Sequence, residues 1–326
     1  RFGFDNFSIR ALGWDADRLV DYSAEQQVSA LLLSDLDVYE SHDEVYLRDL
    51  RQKADSHGIA LYAGTGGICP TAHGFSDKWG TAEEHLELAL RIAQAVGSPV
   101  VRCYQGFSED RRSPGGIRAR MGDTLQVLGN VTSFAVDVDV RIAIENHAGD
   151  MRASELRDLI EAAGPEFVGA TTDSGNAPWA LEDPHENLEI LGPYTVCSGL
   201  RDSMIWQDAD GAQVAWTALG EGIVDMTAYL ERFVELCPDA PVIVETISGV
   251  SRGLPYLRSE FWPPYDSVSA PSFARFLALE RKGVPVPAVL PAGVRPAGDR
   301  QQAEQLHQLA ELERSLTWCR EHLNRT

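Results

Sequence analysis

The run Arg141-Ile142-Ala143-Ile144-Glu145-Asn146-His147 is a short apolar segment that breaks off into three polar residues. A strand of a parallel sheet is covered on both faces, so it reads as a nearly continuous apolar run. A carboxylate and an imidazole at the C-terminal end of such a strand suit a pocket better than a core. Val168-Gly169-Ala170-Thr171-Thr172-Asp173 and Val242-Ile243-Val244-Glu245 end in the same way.

Outward from this stretch, strand-like and helix-like segments alternate along the chain. Strands are expected over Ala30–Leu33, Ile59–Ala63, Val100–Tyr104, Tyr194–Leu200 and Ala240–Thr246, with Phe2-Gly3-Phe4-Asp5 as the weakest candidate. Between them lie helices over 43–56, 81–96, 117–134, 155–163, 185–191, 227–236 and 272–279. Ser41 with Glu44 and Thr81 with Glu84 have capping-box spacing. Leu86, Ala89, Leu90 and Ala93 repeat at helical period, and Gly97 stops that helix. Asp210-Gly211 marks the tip of a hairpin inserted before the last strand. Alternation of this kind defines an α/β protein with a parallel sheet, and eight units fit a closed (β/α)8 TIM barrel. An open doubly wound sheet is the alternative, but it gives no reason for so many polar strand ends to converge.

The expected organisation is a barrel over residues 1–283 and a C-terminal extension over 284–326. Pro285, Pro287, Pro291 and Pro296 make the first part of that extension an extended arm. A helix over about 301–323 then carries Leu309, Leu312, Leu316, Cys319 and Leu323 on one face. That face packs on its own barrel, the preferred reading, or on a second subunit. A homo-oligomer or a small accessory subunit is therefore kept as a candidate partner.

A net charge of −21 excludes an electrostatic grip on a polyanion, and no basic stripe is present, so nucleic acid is not an expected partner. No segment is apolar for the roughly 18 residues a membrane helix needs, so no membrane partner is expected. Five cysteines, an odd number with no CxxC pair, point to a reducing, cytoplasmic setting.

Side chains alternate along a strand, so Glu145 and His147 face the same way. In a barrel the C-terminal strand ends gather around one pocket, which would bring Glu145, Asp173 and Glu245 together. Like charges so placed repel unless a cation sits among them. Oxygen donors suit Mn²⁺ or Mg²⁺ better than Zn²⁺, so one such ion is the expected cofactor.

Glu145-Asn146-His147, Asp173-Ser174-Gly175-Asn176, Leu219-Gly220-Glu221-Gly222 and Val244-Glu245-Thr246, in this order and spacing, resemble the xylose-isomerase-like TIM barrels. These are the sugar phosphate isomerase/epimerase-type proteins, related in fold to endonuclease IV, and the resemblance spans about 1–283. It implies that Glu145, Asp173 and Glu245 are three ligands of one divalent metal. The fourth would come from a His-x-Lys-Asp-like run, which here is Gly199-Leu200-Arg201-Asp202, with a glycine at the ligand position.

The resemblance further implies a sugar isomerase or epimerase that removes a proton next to a carbonyl and passes through an enediolate. Glu145 and Glu245 would be the acid–base pair, with His147 as another candidate base. One alternative is a lyase of the same fold with His147 as base, acting on a 3-oxo-glycoside or a dehydro-sugar acid. Another, motivated by Gly199, is a metal-poor binding or accessory protein. The expected ligand is a small sugar or sugar derivative. Arg102 and Arg201, near strand ends, can bind its carboxylate, phosphate or hydroxyl groups. Trp206 is a candidate stacking surface, with Trp179, Trp216 and Trp262 on the same rim, and His73 is a candidate from the glycine-rich loop after the third strand.

Overall fold

A computed structural model describes residues 1–247, 250–286 and 297–323. Its centre is a parallel sheet of eight strands: β1 (Phe2–Asp5), β2 (Ala30–Leu33), β3 (Ala60–Gly67), β4 (Val100–Tyr104), β5 (Arg141–Glu145), β6 (Val168–Asp173), β7 (Thr195–Gly199) and β10 (Val242–Val244). The strands β1 to β7 follow one another in space, and β10 pairs with β1. A parallel bridge from Leu200 to Val244 brings β7 and β10 together. The Leu200 amide donates to Ile243 at 2.7 Å and the Glu245 amide to Leu200 at 3.0 Å. The chain is a TIM barrel, as the alternation of strands and helices leads one to expect.

Two-residue alternation sorts each strand. Leu31, Leu33, Leu61, Val101, Ile142, Ile144, Val242 and Val244 face the helices and join the large core there. Leu32, Tyr62, Val100, Ala143, Cys197 and Ile243 form a separate cluster inside the barrel. Two residues further on, the inward row arrives at Ser34, Arg102, Glu145, Gly199 and Glu245. The barrel interior therefore ends in charge because its filling residues share parity with the strand ends. Gly3 is needed on β1: a Cβ there would come within 1.7 Å of the Ala30 carbonyl oxygen.

The surrounding helices are α1 (Ala16–Glu25), α2 (Glu44–Ser56), α3 (Ala82–Val96), α4 (Gly116–Asp137), α5 (Ala153–Ala163), α6 (Pro184–Leu191) and α7 (Met226–Leu236). The Thr81/Glu84 capping box forms as expected. The Ser41/Glu44 box does not: Asp43 is the N-cap of α2, and Ser41 Oγ accepts from the Asp43 amide instead.

After Leu200 the chain leaves the barrel for an antiparallel hairpin, β8 (Asp202–Asp208) and β9 (Gly211–Thr217), joined at the Asp-Gly signal. A third strand, β11 (Ser251–Leu254), pairs with β9 after the chain has passed Glu245. Helix α8 (Ala270–Glu280) packs on β8 rather than on the barrel wall. Ile205, Val214, Leu254, Tyr256, Phe261, Phe276 and Leu279 give this unit its own apolar core, together with Trp179 and Trp216.

The helix over 272–279 was expected to complete the barrel; α9 (Ala297–Leu323) lies beside α7 and the 3-10 turn that follows β1 instead. Leu312, Leu316 and Cys319 are fully buried in the barrel's outer core. Polar ties fix the register: Gln308 Oε1 accepts from the Ala11 amide at 2.9 Å, Ser315 Oγ from the Leu219 amide at 3.2 Å, and Arg314 pairs with Glu221 at 2.7 Å. Of the four prolines assigned to the extended arm, Pro287, Pro291 and Pro296 lie outside the described residues. Among the described residues no helix is long and apolar enough to cross a membrane.

Leu316→Ala is expected to lower unfolding stability by about 2–5 kcal/mol, the usual cost of a cavity at a fully buried leucine. Urea denaturation followed by circular dichroism measures it. A loss below about 0.5 kcal/mol would mean that this helix does not cover the barrel.

Candidate active site

Glu145 and Asp173 end β5 and β6 and Glu245 directly follows β10, and each offers a carboxylate oxygen within 4.8 Å of the other two. They are 0 %, 0 % and 3 % exposed. The motif residues around them hold this geometry. Asn146 clamps two strand ends: its Nδ2 donates to the Asp173 carbonyl and its Oδ1 accepts from the Asp173 amide, each at 2.8 Å. Asp173 Oδ1 accepts from the amides of Gly175 at 2.7 Å and Asn176 at 3.0 Å, which turns the chain sharply after β6. Asn176 Nδ2 then reaches back to Glu145 Oε1 at 2.9 Å.

Two arginines complete the cluster. Arg102 pairs with Glu145. Arg201 Nη2 bridges Asp173 and Glu245, reaching Glu245 Oε2 at 2.7 Å. Arg201 does not pair with its sequence neighbour Asp202, which points elsewhere. Its carboxylate accepts from the amides of Ser203, Gly222 and Val224, which is the structural use of the Leu-Gly-Glu-Gly segment.

A fourth buried acid, Asp5 at the end of β1, adds to the charge. Its Oδ1 accepts from Ser34 Oγ at 2.6 Å, and its Oδ2 finds no hydrogen-bond partner among the described residues. Burial, reinforced by the nearby Glu245, pushes Asp5 up to about 7. Burial likewise raises Glu145 well above the usual carboxylate range, although Arg102 opposes it. Asp173 is raised to about 6 by burial, with Arg201 opposing. Four carboxylates against two guanidinium groups leave a negative excess that protons on the acids can relieve.

Above the charges lies a cavity of about 420 Å³ whose wall includes Arg10, Arg102, Tyr104, His147, Trp179, Arg201, Trp216 and Glu245. Trp179 and Trp216 stack with ring centres 4.1 Å apart. His147 stacks on Tyr104 at 3.9 Å, and its Nδ1 must donate to the Gly106 carbonyl at 2.9 Å. That bond leaves Nε2 with the free lone pair. Burial, aided by Arg102, pushes the imidazole down to about 3, so it is neutral in the physiological range.

The cavity wall thus brings together Glu245, His147, Arg102 and Arg201, with Glu145 and Asp173 buried behind it. It does not bring in two other candidates. His73 is exposed in its loop, with its backbone amide tied to Asp110, and is not part of the cavity wall. Trp206 lies on β8 opposite Gln213, in the antiparallel sheet and away from that wall. Asp5 was missed because its strand is only four residues long, yet the inward parity that marks the other acids marks it too.

Three carboxylates at this spacing could hold a divalent ion. Arg201, however, already sits between two of them, and Gly199 supplies no fourth ligand. A Cβ at 199 would lie 3.0 Å from Glu245 Oε2 and 3.2 Å from Asp173 Oδ2, tighter than ordinary contact. With Arg201 in this place the residues do not fit a metal as well.

The family described as Xylose isomerase-like TIM barrel matches residues 3–260, and the chain belongs to that family. Among individual proteins, it is 23 % identical over 212 residues to the 3-oxo-isoapionate decarboxylase of Pectobacterium atrosepticum, covering 64 % of this chain and 70 % of that one. Its fold is similar to a structure of L-ribulose 3-epimerase, with a TM-score of 0.60, 12 % identity and 99 % and 97 % of the two chains covered. It is also similar to a structure of the IOLI protein with a bound zinc atom, with a TM-score of 0.58, 13 % identity and 86 % and 95 % covered.

Replacing Arg102 by Met is expected to cost about 3–5 kcal/mol, because it strands a buried carboxylate at Glu145. The Arg102→Met/Glu145→Met double variant should recover part of that loss. Urea melts of both variants check it; a double variant less stable than the single one would contradict the pairing.

Proposed function

We propose that this chain is an enzyme that forms an enediolate on a small sugar or sugar derivative, most simply as an isomerase or epimerase. The supporting observation is Glu245 in the wall of a cavity that carries cationic groups, with the buried carboxylate of Glu145 within 4.8 Å of it. One carboxylate takes the proton from the carbon next to a carbonyl. The C–H electron pair becomes the C=C bond, and the carbonyl oxygen takes up negative charge. Arg102 and Arg201 lie where they can donate hydrogen bonds to that oxygen or to a neighbouring hydroxyl. Return of a proton, to the same carbon or its neighbour, gives the epimer or the isomer. The stacked Trp179–Trp216 pair offers an apolar wall for the sugar's C–H face.

The family resemblance suggests a Mn²⁺ or Mg²⁺ ion at Glu145, Asp173 and Glu245. In this arrangement such an ion requires Arg201 to withdraw, so the reading does not depend on it. His147 serves better as a hydrogen-bond acceptor through Nε2 than as the main base, because a base held to about 3 takes up protons poorly.

A lyase is the second reading, favoured by Arg10, Arg102 and Arg201 in one cavity wall, which suits a substrate bearing a carboxylate. Loss of CO₂ from a 3-oxo acid breaks a C–C bond and leaves its electron pair in the same kind of enolate. The relative named as a decarboxylase is consistent with this variant.

Incubation in D₂O with a panel of ketoses and 3-oxo sugar acids, read by NMR and by CO₂ release, separates the two. Exchange at the carbon next to the carbonyl supports the isomerase or epimerase; CO₂ release supports the lyase. Glu145→Gln and Glu245→Gln are each expected to lower the rate by about 10²–10⁴-fold. Neither exchange nor CO₂ with any member of the panel would remove the proposal.

A further inference from the structure

We infer that the Arg201 guanidinium is the permanent cation of this site, seated where a divalent metal would otherwise have to bind. The inference about binding stands on geometry alone; its consequence for catalysis rests on the enediolate reading.

The slot for Arg201 is built. The side chain is 2 % exposed, and Nη2 contacts the carboxylates of both Asp173 and Glu245. Its backbone is pinned on both sides by Ser174, whose Oγ donates to the Arg201 carbonyl at 2.6 Å and accepts from the Arg201 amide at 3.1 Å. The Trp216 ring lies 4.5 Å from the guanidinium carbon and covers it. On the other side, Gly175 makes room: a Cβ there would fall 2.2 Å from Arg201 Cγ. Gly199 leaves the carboxylates free to lean over the strand, and they close on the space a ligand from β7 would need.

The electrostatics agree with the geometry. Buried carboxylates this close together need a positive partner. A guanidinium supplies it at every physiological pH and matches carboxylate geometry. An incoming ion would have to break both ion pairs. It would also have to push a buried, charged side chain out of a packed slot into the cavity a substrate needs. Arg201 Nε and Nη1, moreover, find no partner among the described residues. Arg201 belongs to the cavity wall, but both of these donors are themselves buried there.

The experiment measures metal directly. The purified full chain is analysed for metal content by mass spectrometry, then titrated calorimetrically with Mn²⁺ and Zn²⁺ after chelator treatment, alongside Arg201→Ala and Arg201→Lys. The wild type is expected to carry no stoichiometric ion and to show no change in melting temperature with EDTA. Arg201→Ala, with its slot opened, should bind Mn²⁺ at least about tenfold tighter than wild type, while Arg201→Lys, which keeps the charge, should not. One equivalent of tightly held metal in the wild type, lost in Asp173→Asn, would overturn the inference. So would an Arg201→Ala protein that folds by circular dichroism yet gains no affinity. If that variant does not fold, the wild-type metal content and Arg201→Lys decide. None of these readouts needs a substrate. An inactive protein that excludes metal removes the proposed function and keeps the inference; an active protein that holds metal does the reverse.

Discussion

Carboxylates buried within 4.8 Å of one another in a low-dielectric barrel mouth must be neutralised, and the rest of this structure is arranged around that requirement. Four acids, Asp5, Glu145, Asp173 and Glu245, end inward rows of the barrel. Two guanidinium groups enter the same space from β4 and from the residue just beyond the β7 end. Neither set is tolerable alone: unpaired acids would take up protons, and unpaired arginines would be stranded away from water. Together they form a network in which Glu145, Asp173 and Glu245 are each held by an arginine, while Asp5 is held by Ser34.

The elements around this network keep it rigid and dry. Asn146 ties the ends of β5 and β6, and the turn after Asp173 sends Asn176 back to Glu145. The antiparallel sheet inserted after Leu200 contributes Trp216, which stacks on Trp179 and covers Arg201. A cap with its own apolar core thus excludes water from one side of the site. Shielding of this kind strengthens every ion pair beneath it. The displacement of α8 onto that cap leaves a place on the barrel wall, and α9 covers it. The C-terminal helix and the cap are linked in this sense: one element moves up to the site and another replaces it on the wall.

Much of this was legible in the order of residues. Apolar runs of four to six residues gave the strands, 3.6-residue periodicity gave the helices, and two-residue parity aimed Glu145 and Glu245 inward. The same parity applied to Phe2-Gly3-Phe4-Asp5 points Asp5 inward as well, but a four-residue strand with a glycine carries a weak signal. Trp206 and His73 could not be sorted, since a rim position in sequence does not say which way a loop folds. Trp206 pairs across a hairpin away from the cavity, and the loop of His73 is held outward by Asp110.

By itself the sequence determined the barrel and the convergence of its acidic strand ends, because both follow from periodicity, which is a local property of the chain. What neutralises those acids was decided only by tertiary structure. Whether Arg201 turns to its neighbour Asp202 or across the barrel to Asp173 and Glu245 depends on a space cut by Gly175 and Gly199 and roofed by Trp216. Those residues come from the turn after β6, the end of β7 and an inserted sheet, and no spacing along one segment records where they meet.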